Sequence, residues 1–297
     1  MRPEQQMYDL ILGYAKKHED IRAVILNGSR ANPNRIPDPF NDFDIVYLVQ
    51  DVASYKDKAL DREYGEALFG DMLVCQRTDE GELFNDHFPE FVCWLMQFAD
   101  GNRIDLTIAD IKNYEQYCFG DGLAEILLDK DGVLPQLPPQ NESAYYITPP
   151  SQRLFFECRT EFWWVSPYIS KGLWRGQILY AHEHLGFIRN MHMHMLRWYA
   201  GALHGFEITV GKKGDKLAEL LPTELWNDYL STFARCDEDD IWRALFAACK
   251  AFTKISGLVA KHFNFSIEDQ YDTQIPAFLE YTKTLPRNAE TIEFWVN

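Results

Sequence analysis

The run Ile21-Arg22-Ala23-Val24-Ile25-Leu26-Asn27-Gly28-Ser29 is followed, after twelve residues, by Asp42-Phe43-Asp44-Ile45-Val46-Tyr47-Leu48-Val49. Both apolar segments are rich in branched side chains and bounded by turn formers, which predicts strands over 21–27 and 43–49. Residues 30–41 between them hold three prolines and three asparagines, so the connection is a loop. Along a strand, residues i and i+2 project on one face. Asp42 and Asp44 thus place two carboxylates a few ångströms apart, where they repel unless something cationic sits between them. Magnesium suits such a pair, being a hard ion that bridges carboxylates to phosphates. A third carboxylate, Asp105, lies 61 residues beyond Asp44 in Arg103-Ile104-Asp105-Leu106-Thr107-Ile108. From a neighbouring strand it could join the pair and complete a two-metal site. Gly28 allows close backbone approach and Ser29 adds a hydroxyl, which suits a triphosphate. The set reads as chemistry for nucleotidyl transfer, in which an acceptor hydroxyl attacks the α-phosphorus and pyrophosphate leaves. A lone D-x-D or Gly-Ser carries little information; their order and spacing carry the argument. The competing reading is a degenerate site that keeps the fold without the chemistry.

Working outward, Met7, Leu10, Ile11 and Tyr14 recur at helical spacing and predict a helix over 3–19. A charged helix is expected over 54–68. Further strands are expected over 72–76, 91–98 and 103–108, the last two joined by the hairpin signal Asp100-Gly101-Asn102. Five of the 14 prolines then fall within residues 135–150. Beyond them helical periodicity covers 151–165, 174–204, 223–235, 239–263 and 272–283. The exception is an extended piece over 206–214 ending in Gly211-Lys212-Lys213-Gly214. The expected class is α+β. An N-terminal domain (1–134) has a mixed sheet flanked by helices, a Pro-rich linker spans 135–150, and a mostly α-helical domain covers 151–297.

Composition narrows the function. With 297 residues, 46% hydrophobic, the chain is long enough for two cores. Lys and Arg number 29 against 45 Asp and Glu, a net charge of −16. The asymmetry lies at the front, with thirteen basic and twenty-six acidic residues up to Gly132, and sixteen and nineteen after it. A nucleic-acid binder needs a basic face, so the charge argues against a nucleotidyltransferase acting on RNA or tRNA and favours a cationic substrate, the bland alternative being acidity for solubility. No apolar run approaches the ~20 residues of a membrane span, and the N-terminus lacks the apolar core of a signal peptide. The six cysteines show no C-x-x-C pairing and read as free thiols in a reducing compartment. A cytoplasmic location and, by default, a monomer are expected. His182, His184, His192 and His194 form no H-E-x-x-H motif, and i, i+2 pairs on a helix point apart, so a zinc site is not expected.

Gly28-Ser29-Arg30 through Asp42-Phe43-Asp44 resembles the signature of the DNA polymerase β-like nucleotidyltransferases. Four further stretches sharpen the resemblance: 70–74, 95–107, Ser166-Pro167-Tyr168-Ile169-Ser170-Lys171-Gly172-Leu173-Trp174-Arg175, and Thr209-Val210-Gly211-Lys212. They resemble the streptomycin (aminoglycoside) 6-adenylyltransferases, collinearly over most of the chain. The resemblance implies transfer of AMP from Mg-ATP to a hydroxyl, expected to be the 6-hydroxyl, of streptomycin, and hence antibiotic resistance.

Carried onto this sequence, the resemblance makes Asp42 and Asp44 ligands of one or two Mg2+ ions. Asp105 becomes a third ligand, the base for the acceptor hydroxyl, or both. Gly28, Ser29 and Arg30 would meet the triphosphate. Lys212 and Lys213 would reach it from the helical domain across a cleft, unless they form a solvated basic turn. Streptomycin carries two guanidinium groups and an amine, so its site calls for carboxylates and an aromatic face. Glu183 is the one acidic residue between Glu161 and Glu207. With Trp174, expected at the start of the same helix, it is the candidate for the acceptor pocket; the alternative is a pair between Glu183 and Arg189. Gln177 departs from the acidic residue of many relatives. Rival readings are an adenylyltransferase that modifies a protein or another small molecule, and a nucleotide-binding relic without turnover.

Overall fold

The computed structural model describes residues 1–56, 62–83 and 86–294, which fall into two compact units, Met1–Ala144 and Tyr145–Asn297. The first contains helices α1 (Glu4–Lys17), α2 (Gly28–Ala31), α3 (Ala53–Lys56), α4 (Arg62–Phe69) and α5 (Tyr114–Phe119). Its strands are β1 (Ile21–Asn27), β2 (Phe43–Val49), β3 (Met72–Arg77), β4 (Glu80–Gly81), β5 (Asp86–His87), β6 (Phe91–Phe98), β7 (Arg103–Asp110) and β8 (Ala124–Asp129). Six of them form one sheet in the order β3-β6-β7-β2-β1-β8, while β4 and β5 pair separately. β2 and β7 run parallel and every other neighbouring pair in the large sheet is antiparallel, so the sheet is mixed, as the sequence predicts.

Both faces are covered. Phe43, Ile45, Tyr47 and Val49 of β2 and Ile104, Leu106 and Ile108 of β7 join Met7, Ile11 and Ala15 of α1 in one core. The alternate residues Val46, Leu48 and Ala109 face a smaller cluster with Cys118 of α5. This double burial explains why β2 is nearly continuous in apolar residues. At its start the pattern breaks, and Asp42 and Asp44 lie on the α5 side of the sheet. Parallel register pairs Asp44 with Asp105, and antiparallel register pairs Asn27 with Asp44. Parallel β2 and β7 begin at one edge, and β1 ends there.

Several boundaries differ from expectation. β8 and α5 carry no strong sequence signal: Ala124-Glu125-Ile126-Leu127-Leu128-Asp129 is short and fits either period, and pairing with β1 decides it. The helix expected over 54–68 includes residues 57–61, which lie outside the described residues; α3 and α4 flank them.

The second unit contains α6 (Gln152–Trp174), α7 (Ile178–His204), α8 (Leu217–Leu220), α9 (Thr223–Leu230), α10 (Glu238–Phe263) and α11 (Tyr271–Thr284). α6 continues well past 165, straight through Pro167. Proline removes one backbone bond, yet Ile169 and Leu173 beyond it are fully buried and hold the last turns in place. Trp174 therefore ends α6 rather than starting α7, and the break falls at Gly176, whose φ is +70°. The 206–214 piece forms no strand; the Ile147 amide donates to the Ile208 carbonyl at 3.1 Å, and a 3-10 turn follows over Lys212–Gly214. α10 and α11 pack on the α6–α7 pair, with Phe162 stacked on Phe252 at 3.7 Å. Arg159 is fully buried and donates to Asp269 at 2.6 Å and to Ser256 at 3.0 Å. No described helix is long and apolar enough to cross a membrane.

His192 of α7 is 1% exposed, edge-on to Tyr229 and Phe252, and its Nδ1 has no hydrogen-bond partner among the described residues. Burial pushes its pKa down to about 3. Between pH 3 and 6.5 the unfolded chain binds a proton here that the folded chain refuses, so stability falls with falling pH across that window. Its slope reaches ~1.4 kcal/mol per pH unit for one proton. Denaturant titrations of wild type and His192→Gln between pH 4 and 7 should show that the variant lacks this part of the slope.

Candidate active site

At the shared edge of β1, β2 and β7, backbone geometry sets the carboxylates. Gly28 has φ +67°, where a side chain is strained, and it sits against Asp44: a Cβ added there would lie 2.1 Å from Asp44 Oδ2. Only glycine lets the turn after β1 pass over this carboxylate. Ser29 is exposed and its hydroxyl makes no hydrogen bond among the described residues, leaving it open to a ligand. Asn27 ties the end of β1 down, donating to the Tyr117 carbonyl at 2.9 Å and the Leu123 carbonyl at 3.2 Å.

Arg30 works from behind. Its Nε donates to the Asp42 carbonyl at 2.9 Å and its Nη2 to the Asn41 carbonyl at 2.8 Å. The guanidinium lies 3.6 Å over the Phe43 ring and pairs with Glu4 at 2.7 Å. In this arrangement Arg30 fixes the backbone that carries Asp42.

Arg103 works from the front. It precedes Asp105 by two residues on β7, so both face the α5 side of the sheet. Its Nε and Nη2 donate to the two Asp105 oxygens at 2.7 and 2.8 Å. The same Nε lies 3.7 Å from Asp42 Oδ2. The hydrogen bond to Asp105, with added attraction from Asp105, Asp42 and Asp44, raises the Arg103 pKa. Sequence reasoning passed over this residue. The available signal was an arginine at i−2 from a strand carboxylate already assigned to a cationic cluster.

The donor set suits a hard divalent cation, since all three groups are carboxylates. One guanidinium nitrogen already touches Asp105 and approaches Asp42, so the spacing admits a cation between them. As the side chains stand, with both Asp105 oxygens on Arg103, no three His, Cys, Asp or Glu groups among the described residues converge tightly enough to hold a metal ion.

In the helical unit, Lys212 and Lys213 are exposed and form no ion pair among the described residues. Lys213 adopts φ +59° between Gly211 and Gly214, both also at positive φ. Trp174 and Glu183 lie on different helices, α6 and α7. The Trp174 indole donates to the Leu285 carbonyl at 3.1 Å, and its ring lines a cavity with Lys171, Arg175 and Glu290 that Glu183 does not enter. Glu183 is exposed without a hydrogen bond or ion pair among the described residues. Arg189 lies 4.4 Å from the Phe233 ring instead. Acidic and aromatic groups also meet in a second cavity of about 570 Å³, between Glu157 and Glu161 of α6, Trp198 of α7, and Tyr145 and Tyr146.

A mixed sheet with carboxylates in register beside a Gly-Ser turn is the arrangement of a nucleotidyltransferase. The model of the streptomycin adenylyltransferase family matches residues 1–282, and the chain belongs to that family. It is 35% identical to an aminoglycoside 6-adenylyltransferase of Bacillus subtilis over 94% of this chain and 98% of that protein. It is 34% identical to one of Campylobacter jejuni, over 94% and 95% of the two chains. A crystal structure of an aminoglycoside 6-adenyltransferase from Bacillus subtilis aligns with 96% of this chain and all of that one, at 30% identity and a TM-score of 0.46.

Gly28→Ala should leave the sheet folded and displace the Asp44 carboxylate. Since a misplacement of ~1 Å can cost ~100-fold in rate, turnover should fall by about that factor or more. Steady-state kinetics beside a thermal melt will check this, with melting expected to drop by only a few degrees.

Proposed function

We propose that the protein transfers AMP from Mg-ATP to a hydroxyl of streptomycin, the 6-hydroxyl by family resemblance, releases pyrophosphate, and so confers resistance. The observation that carries this reading is the register of Asp44 with Asp105, with Asp42 two residues before Asp44 and Gly28 against Asp44. Asp42 and Asp44 hold magnesium, and Asp105 accepts the acceptor's proton or serves as a further ligand. Bound magnesium neutralises the triphosphate and the charge building up on the leaving pyrophosphate. Gly28 lets the backbone approach the phosphates, and the Ser29 hydroxyl donates to a phosphate oxygen. Lys212 and Lys213 are the candidates for further positive charge on the phosphates, and Arg30 fixes the Asp42 backbone. The acceptor oxygen bonds to the α-phosphorus as the bond to the β-phosphate oxygen breaks. The chain contributes position and electrostatics rather than a covalent intermediate. Glu183, exposed on α7, meets a cationic group of the acceptor.

Pyrophosphate release from Mg-ATP should require streptomycin and fall at least ~100-fold in Asp42→Asn. Release without streptomycin, or unchanged in Asp42→Asn, would refute the assignment. ATP binding without release on any aminoglycoside would favour a protein acceptor or a relic.

The acceptor site has its own test. Losing a charge-assisted contact should raise the streptomycin KM about tenfold in Glu183→Gln with kcat little changed. If Glu161→Gln raises it instead, the acceptor lies in the Tyr145–Trp198 cavity.

A further inference from the structure

We propose that Arg103 is a resident counter-ion of the carboxylate cluster, one that competes with the divalent cation for Asp105 and must let go of it when the cation binds. The inference rests on the metal-binding reading above and deepens it. Three observations carry it. Both Asp105 oxygens are taken by the Arg103 fork at 2.7 and 2.8 Å, so the carboxylate edge that would face a metal is occupied. The same Nε stands 3.7 Å from Asp42, so the guanidinium covers two of the three carboxylates at once. And among the described residues the three carboxylates do not converge on a common point in this arrangement.

Arg103 is well placed to leave. Its side chain is 39% exposed, and it pairs with Asp105 and Asp42. Arg159, fully buried between Asp269 and Ser256, shows the contrasting case of an arginine locked into the fold. A guanidinium cannot deprotonate near neutral pH, so Arg103 leaves only by swinging away. While it stays, it offsets the repulsion among the carboxylates. It also engages the Asp105 oxygens that would accept a hydroxyl proton. Arg103 is thus a positioning residue, acting through Asp105.

The test uses Mn2+ alone, its free concentration followed by electron paramagnetic resonance, on the full-length wild type, Arg103→Gln and Arg103→Lys. Arg103→Gln should bind Mn2+ about tenfold or more tightly than wild type. Arg103→Lys keeps a charge but loses the fork, and should fall between. Without metal, Arg103→Gln should melt lower than wild type, and saturating Mn2+ should close that gap. If Arg103→Gln does not fold, the Arg103→Lys comparison decides alone. Unchanged or weaker Mn2+ binding in folded variants would overturn the proposal, weaker binding marking Arg103 as a strut that holds Asp105 ready for metal. If no protein binds Mn2+, alone or with a non-hydrolysable ATP analogue, the metal reading of the site fails and this inference falls with it.

Discussion

Mutual repulsion among Asp42, Asp44 and Asp105 is the constraint around which the N-terminal unit is organised. Charges of one sign a few ångströms apart on a sheet edge destabilise the fold unless they are separated, solvated or neutralised. Here the parallel pair β2 and β7 brings Asp44 and Asp105 into register, and nothing in the sheet could move them apart without shifting a register that also buries Phe43, Ile45, Ile104 and Leu106. The apolar alternation that drives folding therefore also imposes the cluster. Tolerating it takes devices visible around the edge: a glycine that makes room for Asp44, an arginine behind the Asp42 backbone, and another arginine against Asp105 and Asp42.

The arginines divide the labour by burial. Arg159 is sealed among helices, where removing either side of the ion pair would strand the other, so its role belongs to the fold. Arg30 is mostly buried and spends its donors on backbone carbonyls, which makes the turn rigid without neutralising a carboxylate of the cluster. Arg103 faces its carboxylates from the more open side. A guanidinium suits each position because its planar fork holds two acceptors at once.

Much of this was legible in the sequence, because the informative residues are those whose identity is forced. The strands β1 and β2, the hairpin at Asp100-Gly101-Asn102 and the long helices each follow from apolar periodicity or turn chemistry. The strand carrying Asp105 was equally plain. What escaped depends on contacts distant in the chain. β8 becomes a strand by pairing with β1, and α6 outlasts Pro167 because residues beyond it are buried. Trp174 parts from the helix of Glu183 at Gly176, a break that the helical pattern on either side concealed. The double duty of Arg30 and Arg103 was hidden for a related reason. An arginine near a phosphate-binding motif reads as a phosphate ligand until the carbonyls and carboxylates it touches are known.

The acidic balance of the first 132 residues gives the arrangement its last element. A strongly negative unit raises the local concentration of any cation, with little discrimination among them. Long-range attraction of that kind brings cations to the edge, and selectivity has to come from contact. A tethered guanidinium already seated on both Asp105 oxygens has to be displaced before another cation reaches them. A divalent ion carrying a triphosphate brings more charge and more ligands to the exchange. The field of the unit and the arginine at its centre thus act in opposite directions: one gathers cations, and the other limits which of them reach the carboxylates.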